Sequence, residues 1–162
     1  MSNVNFKNLN ASNLKVTVST NNQEEHTHGG HYEGALKDGK KNGFGIFTYS
    51  NGTRYIGYWK DNKFHGEGTL SFTNGELYQG NWLEDEMNGY GIYSWPDGER
   101  YVGEWKDGSK TGNGIYIWDN GDQFIGLWKE DNREGDGIMI YSDGERIIGT
   151  WENDELVKKL VE

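Results

Sequence analysis

Aromatic rings and carboxylates recur side by side in this chain. Phe72 and Glu76, Trp95 and Glu99, Trp118 and Asp122, and Tyr141 and Glu145 each bracket three polar or turn-forming residues. A ring face attracts a lysine or arginine head by about 0.5–1 kcal/mol at an exposed contact, and a neighbouring acid pairs with the same cation. The chemistry is that of holding a basic segment, with Tyr93 and Tyr116 one step further inside. A second set, His26, His28 and His31 beside Glu24 and Glu25, has donors suited to a divalent ion. Histidine-rich tracts also bind metal adventitiously, so no metal or cofactor is assigned. The Gly-x-Gly pairs are followed by strand pattern rather than by the helix a phosphate loop needs. Acids such as Glu84, Asp85 and Glu86 do not repeat at calcium-loop spacing and read as solvated turns. No nucleophile, base and orienting group recur together, so the chain reads as non-catalytic.

These residues sit in an unusual composition. The 162 residues include 25 glycines, one proline, no cysteine, and 7 Trp, 10 Tyr and 6 Phe, with 16 basic against 26 acidic side chains. Rings supply the large buried areas that a short aliphatic inventory lacks, which favours a folded, glycine-rich aromatic interior over disorder. The absence of cysteine removes disulfide scaffolds, thiol catalysis and thiolate zinc sites. The acid excess opposes nucleic acid and anionic lipid and favours basic protein faces. No apolar run approaches the roughly 18 residues of a membrane span, and residues 1–22 lack a secretory core. The chain is therefore expected to work inside the cell, in the cytoplasm or on the cytoskeleton.

Tyr-x-Gly-x-Trp occurs at Tyr55-Gly57-Trp59, Tyr78-Gly80-Trp82 and Tyr101-Gly103-Trp105, a step of 23 residues. The step extends back to Tyr32-Gly34-Leu36 and forward to Phe124-Gly126-Trp128 and Ile147-Gly149-Trp151. Each full unit adds a Gly-x-Gly and an Asn-Gly or Asp-Gly, so 21 of the 25 glycines lie on this lattice. A fixed period without insertions means one supersecondary unit stacked on its neighbours. Short period-two aromatic segments separated by Asn-Gly or Asp-Gly predict a β-hairpin. Pro96, Asp97 and Gly98 suit a type I turn closed by a G1 bulge, which pairs Trp95 with Glu99, Tyr93 with Tyr101 and Gly91 with Gly103. Closing a six-residue loop on the other side, Lys60 to His65 in the second unit, pairs Trp82 with Gly89 and Gly80 with Gly91. One face then carries a file of glycines between a tyrosine rail and a tryptophan rail. The opposite face carries Ile46, Ile56, Ile92, Val102, Ile115, Ile125 and Ile138.

This constellation resembles the MORN repeat over about three quarters of the chain. Leu36 in place of tryptophan, and Phe124 and Ile147 in place of tyrosine, are mild departures. The resemblance implies an elongated, open, single-layer antiparallel sheet that binds other proteins, in a family known from cytoskeletal, ciliary and membrane-associated scaffolds. Residues 32–151 are expected to form the array. Residues 1–31 are expected to be a flexible tail with a possible capping strand at 14–18. Residues 152–162, with Leu156, Val157, Leu160 and Val161 at helical spacing behind Asn153 or Asp154 as caps, are expected to form a short capping helix.

The functional expectation is an interaction scaffold. A basic extended or helical segment of a protein partner would lie along the aromatic, glycine-lined groove, contacting Phe72, Glu76, Tyr93, Trp95, Glu99, Tyr116, Trp118, Asp122, Tyr141 and Glu145. The alternative is a structural subunit of a cytoskeletal or axonemal assembly, which would self-associate. Phosphoinositide binding is suggested by the family and opposed by the charge.

Overall fold

The computed structural model describes residues 23–27 and 29–161. All are strands and turns; the described residues contain no helix. Thirteen strands follow one another: β1 Gln23–Thr27, β2 Gly30–Lys37, β3 Lys40–Tyr49, β4 Arg54–Lys60, β5 Lys63–Ser71, β6 Leu77–Leu83, β7 Glu86–Ser94, β8 Arg100–Lys106, β9 Ser109–Ile117, β10 Gln123–Lys129, β11 Asn132–Ile140, β12 Arg146–Glu152 and β13 Glu155–Val161. Each pairs antiparallel only with its chain neighbours in a single sheet. At about 4.8 Å per spacing the sheet is roughly 58 Å across.

Two kinds of turn alternate. The Asn-Gly or Asp-Gly turn has the expected form: the Trp95 amide donates to the Glu99 carbonyl at 2.9 Å, the Gly98 amide donates to the Trp95 carbonyl at 3.1 Å, and Gly98 has φ 100°. The other turn is tighter than the sequence suggests. Asp61-Asn62, Glu84-Asp85 and Glu130-Asp131 each place two residues at positive φ, 49° and 71° in the first pair. That is a two-residue type I′ hairpin, whose twist matches the strands. The remaining residues of the expected six-residue loop join the strand through a bulge. Gly89, at φ 84°, makes the bulge possible, and within its hairpin Trp82 faces Met87 rather than Gly89. The expected partnership of tryptophan with glycine holds on the other side, where Gly66 pairs with Trp82 and Gly89 with Trp105.

The second turn residue also ties successive units together. The Asn62, Asp85, Asp131 and Asp154 side chains accept the amides of Lys41, Phe64, Lys110 and Arg133 at 2.7–2.8 Å. Asp85 is thus an inter-unit clasp, not merely a solvated turn acid. Gly108 occupies this place in the fourth unit and offers no side chain to Met87. Gly108→Asn is expected to supply the missing bond and raise stability by about 0.5–1.5 kcal/mol, read as a rise in melting temperature of roughly 2–4 °C per kcal/mol.

The core is one ring thick. Tyr32, Tyr55, Tyr78, Tyr101 and Phe124 are 0% exposed, and Trp59, Trp82, Trp105, Trp128 and Trp151 are 3–6% exposed. Each tyrosine or phenylalanine lies across the bare glycines of its own hairpin: a Cβ on Gly57 would stand 2.6 Å from the Tyr55 hydroxyl. The hydroxyl donates to a backbone carbonyl three residues on, Tyr55 to Tyr58 at 3.0 Å and Tyr78 to Asn81 at 3.0 Å. The next unit's indole meets the ring edge-on, Tyr55 with Trp82 at 5.7 Å and Tyr78 with Trp105 at 5.6 Å. Its Nε1 donates to a file glycine, Trp82 to Gly68 and Trp105 to Gly91, both at 3.3 Å. Backbone polar groups are thereby satisfied within a sheet that has no second layer.

Burial raises the pKa of Tyr55, Tyr78 and Tyr101 well above the ordinary value, with Asp85 adding to it at Tyr55 and Glu104 at Tyr101. These groups fold neutral. A pKa raised on folding means that their contribution is complete below about pH 10, the unfolded value, and is lost as pH climbs from there through the folded values. The array is expected to unfold on alkaline titration above about pH 10, with tyrosinate absorbance and loss of β circular dichroism rising together. Ionisation of these tyrosines in an intact sheet would contradict the packing.

The C-terminal helix is replaced by a strand. Asn153 and Asp154, expected as helix caps, instead form the type I′ turn at φ 49° and 70°. Residues 155–161 then pair with β12 as β13. The physical reason is the open edge of β12, whose backbone groups need partners, and the position of Leu156 over Gly149, where other units place a ring. At the other end, residues 23–27 and 30–31, expected within the tail, belong to β1 and β2. The candidate strand at 14–18 lies outside the described residues.

Candidate functional site

The structure brings the ring and acid border together as the register requires. The amides of Phe72, Trp95, Trp118 and Tyr141 donate to the carbonyls of Glu76, Glu99, Asp122 and Glu145 at 2.9–3.0 Å. The border side chains are half-buried apart from exposed Glu145. Trp95 packs between Tyr93 at 4.5 Å and Tyr116 at 5.6 Å, and Trp118 on Tyr116 at 4.8 Å. Three of the four carboxylates, those of Glu76, Glu99 and Asp122, are engaged within the chain. Tyr93 donates its hydroxyl to Glu76 at 2.6 Å and Tyr116 donates to Glu99. Asp122 accepts from the Ser142 amide at 2.8 Å, which holds its carboxyl below the usual range. Desolvation, followed by the bond to glutamate, pushes the phenols of Tyr93 and Tyr116 upward.

Cations already cover part of this face. Lys41, Phe64, Met87, Lys110, Arg133 and Leu156 fall at one place in successive units, 23 residues apart. Lys41 Nζ stands 4.4 Å from the Phe47 ring centre, Lys110 Nζ 4.7 Å from Trp128, and the Arg133 guanidinium 5.6 Å from Phe124. Phe64 does the same work by stacking on Tyr55 at 3.7 Å. Burial lowers the Lys110 pKa despite the opposing pull of Asp131, Asp154 and Glu99. The affinity of these rings for cations is therefore used inside the chain. That was readable from the recurrence of Lys41, Lys110 and Arg133 beside the rings, but sequence reasoning passed over it.

The open surface is the opposite face. There a groove of about 710 Å³ runs from β3 to β10, eight strands or roughly 34 Å of sheet. Its floor is Ile56, Thr69, Gln79, Ile92, Val102, Ile115 and Ile125 with the backs of the file glycines Gly57 to Gly126, and its one charged lining residue is Glu67. Tyr58 and Tyr90 stand on one side, 51% and 63% exposed. The Asn113 amide donates to Glu104 at 2.9 Å, holding its carboxyl below the usual range, and Tyr90 donates to the same carboxylate at 3.4 Å. The glycines thus serve both faces. Toward the rings they leave room for a tyrosine, and toward the groove they leave the floor low.

The histidine set is only partly placed. His26 and His31 are paired in register across β1 and β2, and His28 lies outside the described residues. A His31 ring nitrogen lies 3.0 Å from Glu33. Among the described residues no group of three or more histidine and carboxylate side chains is placed to hold a metal ion. Nor is any helix among them long and apolar enough to cross a membrane.

Among solved structures, the TCP domain of SAS-4 (dCPAP) of Drosophila melanogaster, in complex with a proline-rich motif of Ana2 (dSTIL), is similar with a TM-score of 0.51. Identity is 19%, over 83% of this chain and 76% of that one; at this level the likeness is one of fold. No curated protein matches the chain. The family model of the MORN repeat matches residues 32–54, 55–76, 78–100, 101–123 and 124–146 in succession. Those five matches follow the hairpins that stack ring on glycine from β2 to β11, and the chain belongs to the MORN-repeat family.

Proposed function

We propose that the chain is a non-catalytic scaffold that holds an extended, basic segment of a protein partner in the groove between β3 and β10. The observation that carries this reading is the asymmetry of the two faces: rings close one, while the other keeps an apolar floor edged by exposed tyrosines. The acid excess of the chain supports a basic partner. The SAS-4 domain, which has a similar fold, is in complex with a proline-rich motif, and proline-rich segments are pre-extended. A second surface is the border, favoured by the half-exposed rings of Trp95 and Trp118. A structural subunit, the remaining alternative, is favoured by the open edge at β13 with exposed Leu156, Val157 and Leu160.

The test begins with capture on the full chain and identification of the partner by mass spectrometry. Ile92→Glu with Ile115→Glu is expected to weaken binding at least tenfold, about 1.4 kcal/mol, with circular dichroism unchanged. Trp95→Ala with Trp118→Ala is expected to leave affinity within a factor of about two, and affinity should fall with added salt. The reverse ranking of the two double variants would move the site to the border. Light scattering that grows with concentration and is abolished by Val157→Lys would favour the structural subunit.

A further inference from the structure

The groove is not uniform along its length. On one side of the glycine file a row of paired residues crosses the sheet from Ile46 on β3 to Ile148 on β12, and every strand but two contributes isoleucine or valine to it. The exceptions are Thr69 on β5 and Gln79 on β6, which pair with each other. Beyond the paired glycines Gly68 and Gly80 stand Glu67 and Asn81, also a pair. All four residues line the groove. They mark the corners of a rectangle about 5 Å across the strands and about 7 Å along them, with bare glycine backbone as its floor.

This rectangle has unmet acceptors. Among the described residues, none of the Glu67, Thr69, Gln79 and Asn81 side chains has a hydrogen-bond or ion-pair partner. The other acids beside file glycines in this row are engaged, Glu104 by Asn113 and Tyr90 and Asp136 by Thr150 at 2.8 Å. Glu67 is exposed and is the one charged residue of the groove lining. A carboxylate, two amide oxygens and a hydroxyl surround the paired glycines. A guanidinium matches such a set best, because it presents five donors in one plane and can lie flat on a floor that has no side chains.

We propose that the rectangle on β5 and β6 is a subsite for one arginine of the partner segment, with Glu67 as its counter-charge, and that it fixes the segment's register. The proposal rests on the groove being the binding surface, and adds which residue the partner carries and where. Same-side residues of an extended chain lie about 6.6 Å apart, while β4 and β7 lie about 7 Å from the middle of the β5–β6 pair and β8 about 12 Å. The partner therefore carries an apolar residue two positions to either side of the arginine, over Ile56 and Ile92, and another four positions away over Val102.

A phage-displayed library of random peptides of about ten residues, the length that spans the groove, panned on the full chain, reads this pattern. The enriched peptides are expected to share an arginine with apolar residues two positions to either side. Glu67→Gln is expected to weaken a selected peptide by about tenfold or more, with circular dichroism unchanged. Once alanine replaces the peptide's arginine, the same variant should alter affinity by less than about twofold. Thr69→Ile with Gln79→Ile, which continues the aliphatic row, should change the enriched residue from arginine to an apolar one. Enriched peptides that lack arginine, or whose arginine is indifferent to Glu67→Gln, would overturn the subsite. If such peptides are still weakened by Ile92→Glu with Ile115→Glu, the groove reading survives without it. Peptides indifferent to that pair, or no enrichment at all, would overturn both.

Discussion

Gly91→Val is expected to unfold the central units of the array. A Cβ at this position would lie 2.6 Å from Tyr78 Cζ, far inside van der Waals contact, and valine adds two further methyls. The Tyr78 ring is 0% exposed and held between Trp82 at 4.9 Å and Trp105 at 5.6 Å. Its hydroxyl is tied to Asn81, so it cannot rotate away without breaking a hydrogen bond and two ring contacts. Overpacking of a closed core typically costs 1–3 kcal/mol. Here there is no second layer to absorb the strain, and a loss of about 3 kcal/mol or more is expected. Chemical denaturation with circular dichroism measures it. A near-native midpoint would mean that the rings do not rest on the glycines. Gly98→Ala is a useful contrast, because nothing lies near its Cβ and its cost comes only from φ 100°.

Tyr78→Ala is expected to be as severe for the opposite reason. It removes the ring that covers Gly80 and Gly91 and takes one edge-on contact from each of two indoles, Trp82 and Trp105. Large-to-small changes at buried aromatic residues cost about 3–5 kcal/mol. Tyr78→Phe separates the ring from its hydroxyl. Phe124 occupies the same place in the fifth unit and is also 0% exposed, so the ring alone is compatible with the fold. The phenylalanine variant should lose only about 0.5–1.5 kcal/mol, the net value of one hydrogen bond. Equal losses for alanine and phenylalanine would assign the stability to the hydroxyl and refute the ring-on-glycine core.

Much of this was legible without coordinates. The strict period identified the unit, and the Pro96-Asp97-Gly98 turn placed Trp95 opposite Glu99 and Gly91 opposite Gly103, as observed. What misled was the second turn. Lys60 to His65 reads as one charged loop because nothing in its composition separates a wide turn from a two-residue turn followed by a bulge. The choice lies in the positive φ of Asp61, Asn62 and Gly66, a backbone state that aspartate and asparagine tolerate but do not announce. The C-terminal segment misled in the same way. Leu156, Val157, Leu160 and Val161 satisfy a helical period, but the unpaired edge of β12 makes a strand the better partner, a long-range effect that local periodicity cannot register.

By itself, then, the sequence determined the strand count per unit, the glycine file and the alternation that puts rings and aliphatic side chains on opposite faces. These follow from short-range rules, because a strand alternates its side chains every residue and an Asn-Gly or Asp-Gly turn sets its own register. Only the tertiary structure decided which face is open. A glycine file reads equally well as an empty trough or as a bed for a ring. The outcome depends on the direction each tyrosine takes, on the indole arriving from the next unit, and on Lys41, Phe64, Lys110 and Arg133 closing over them. Burying ring area with every polar group satisfied favours the filled bed, and that closure leaves the low glycine backbone and its isoleucines exposed on the other side.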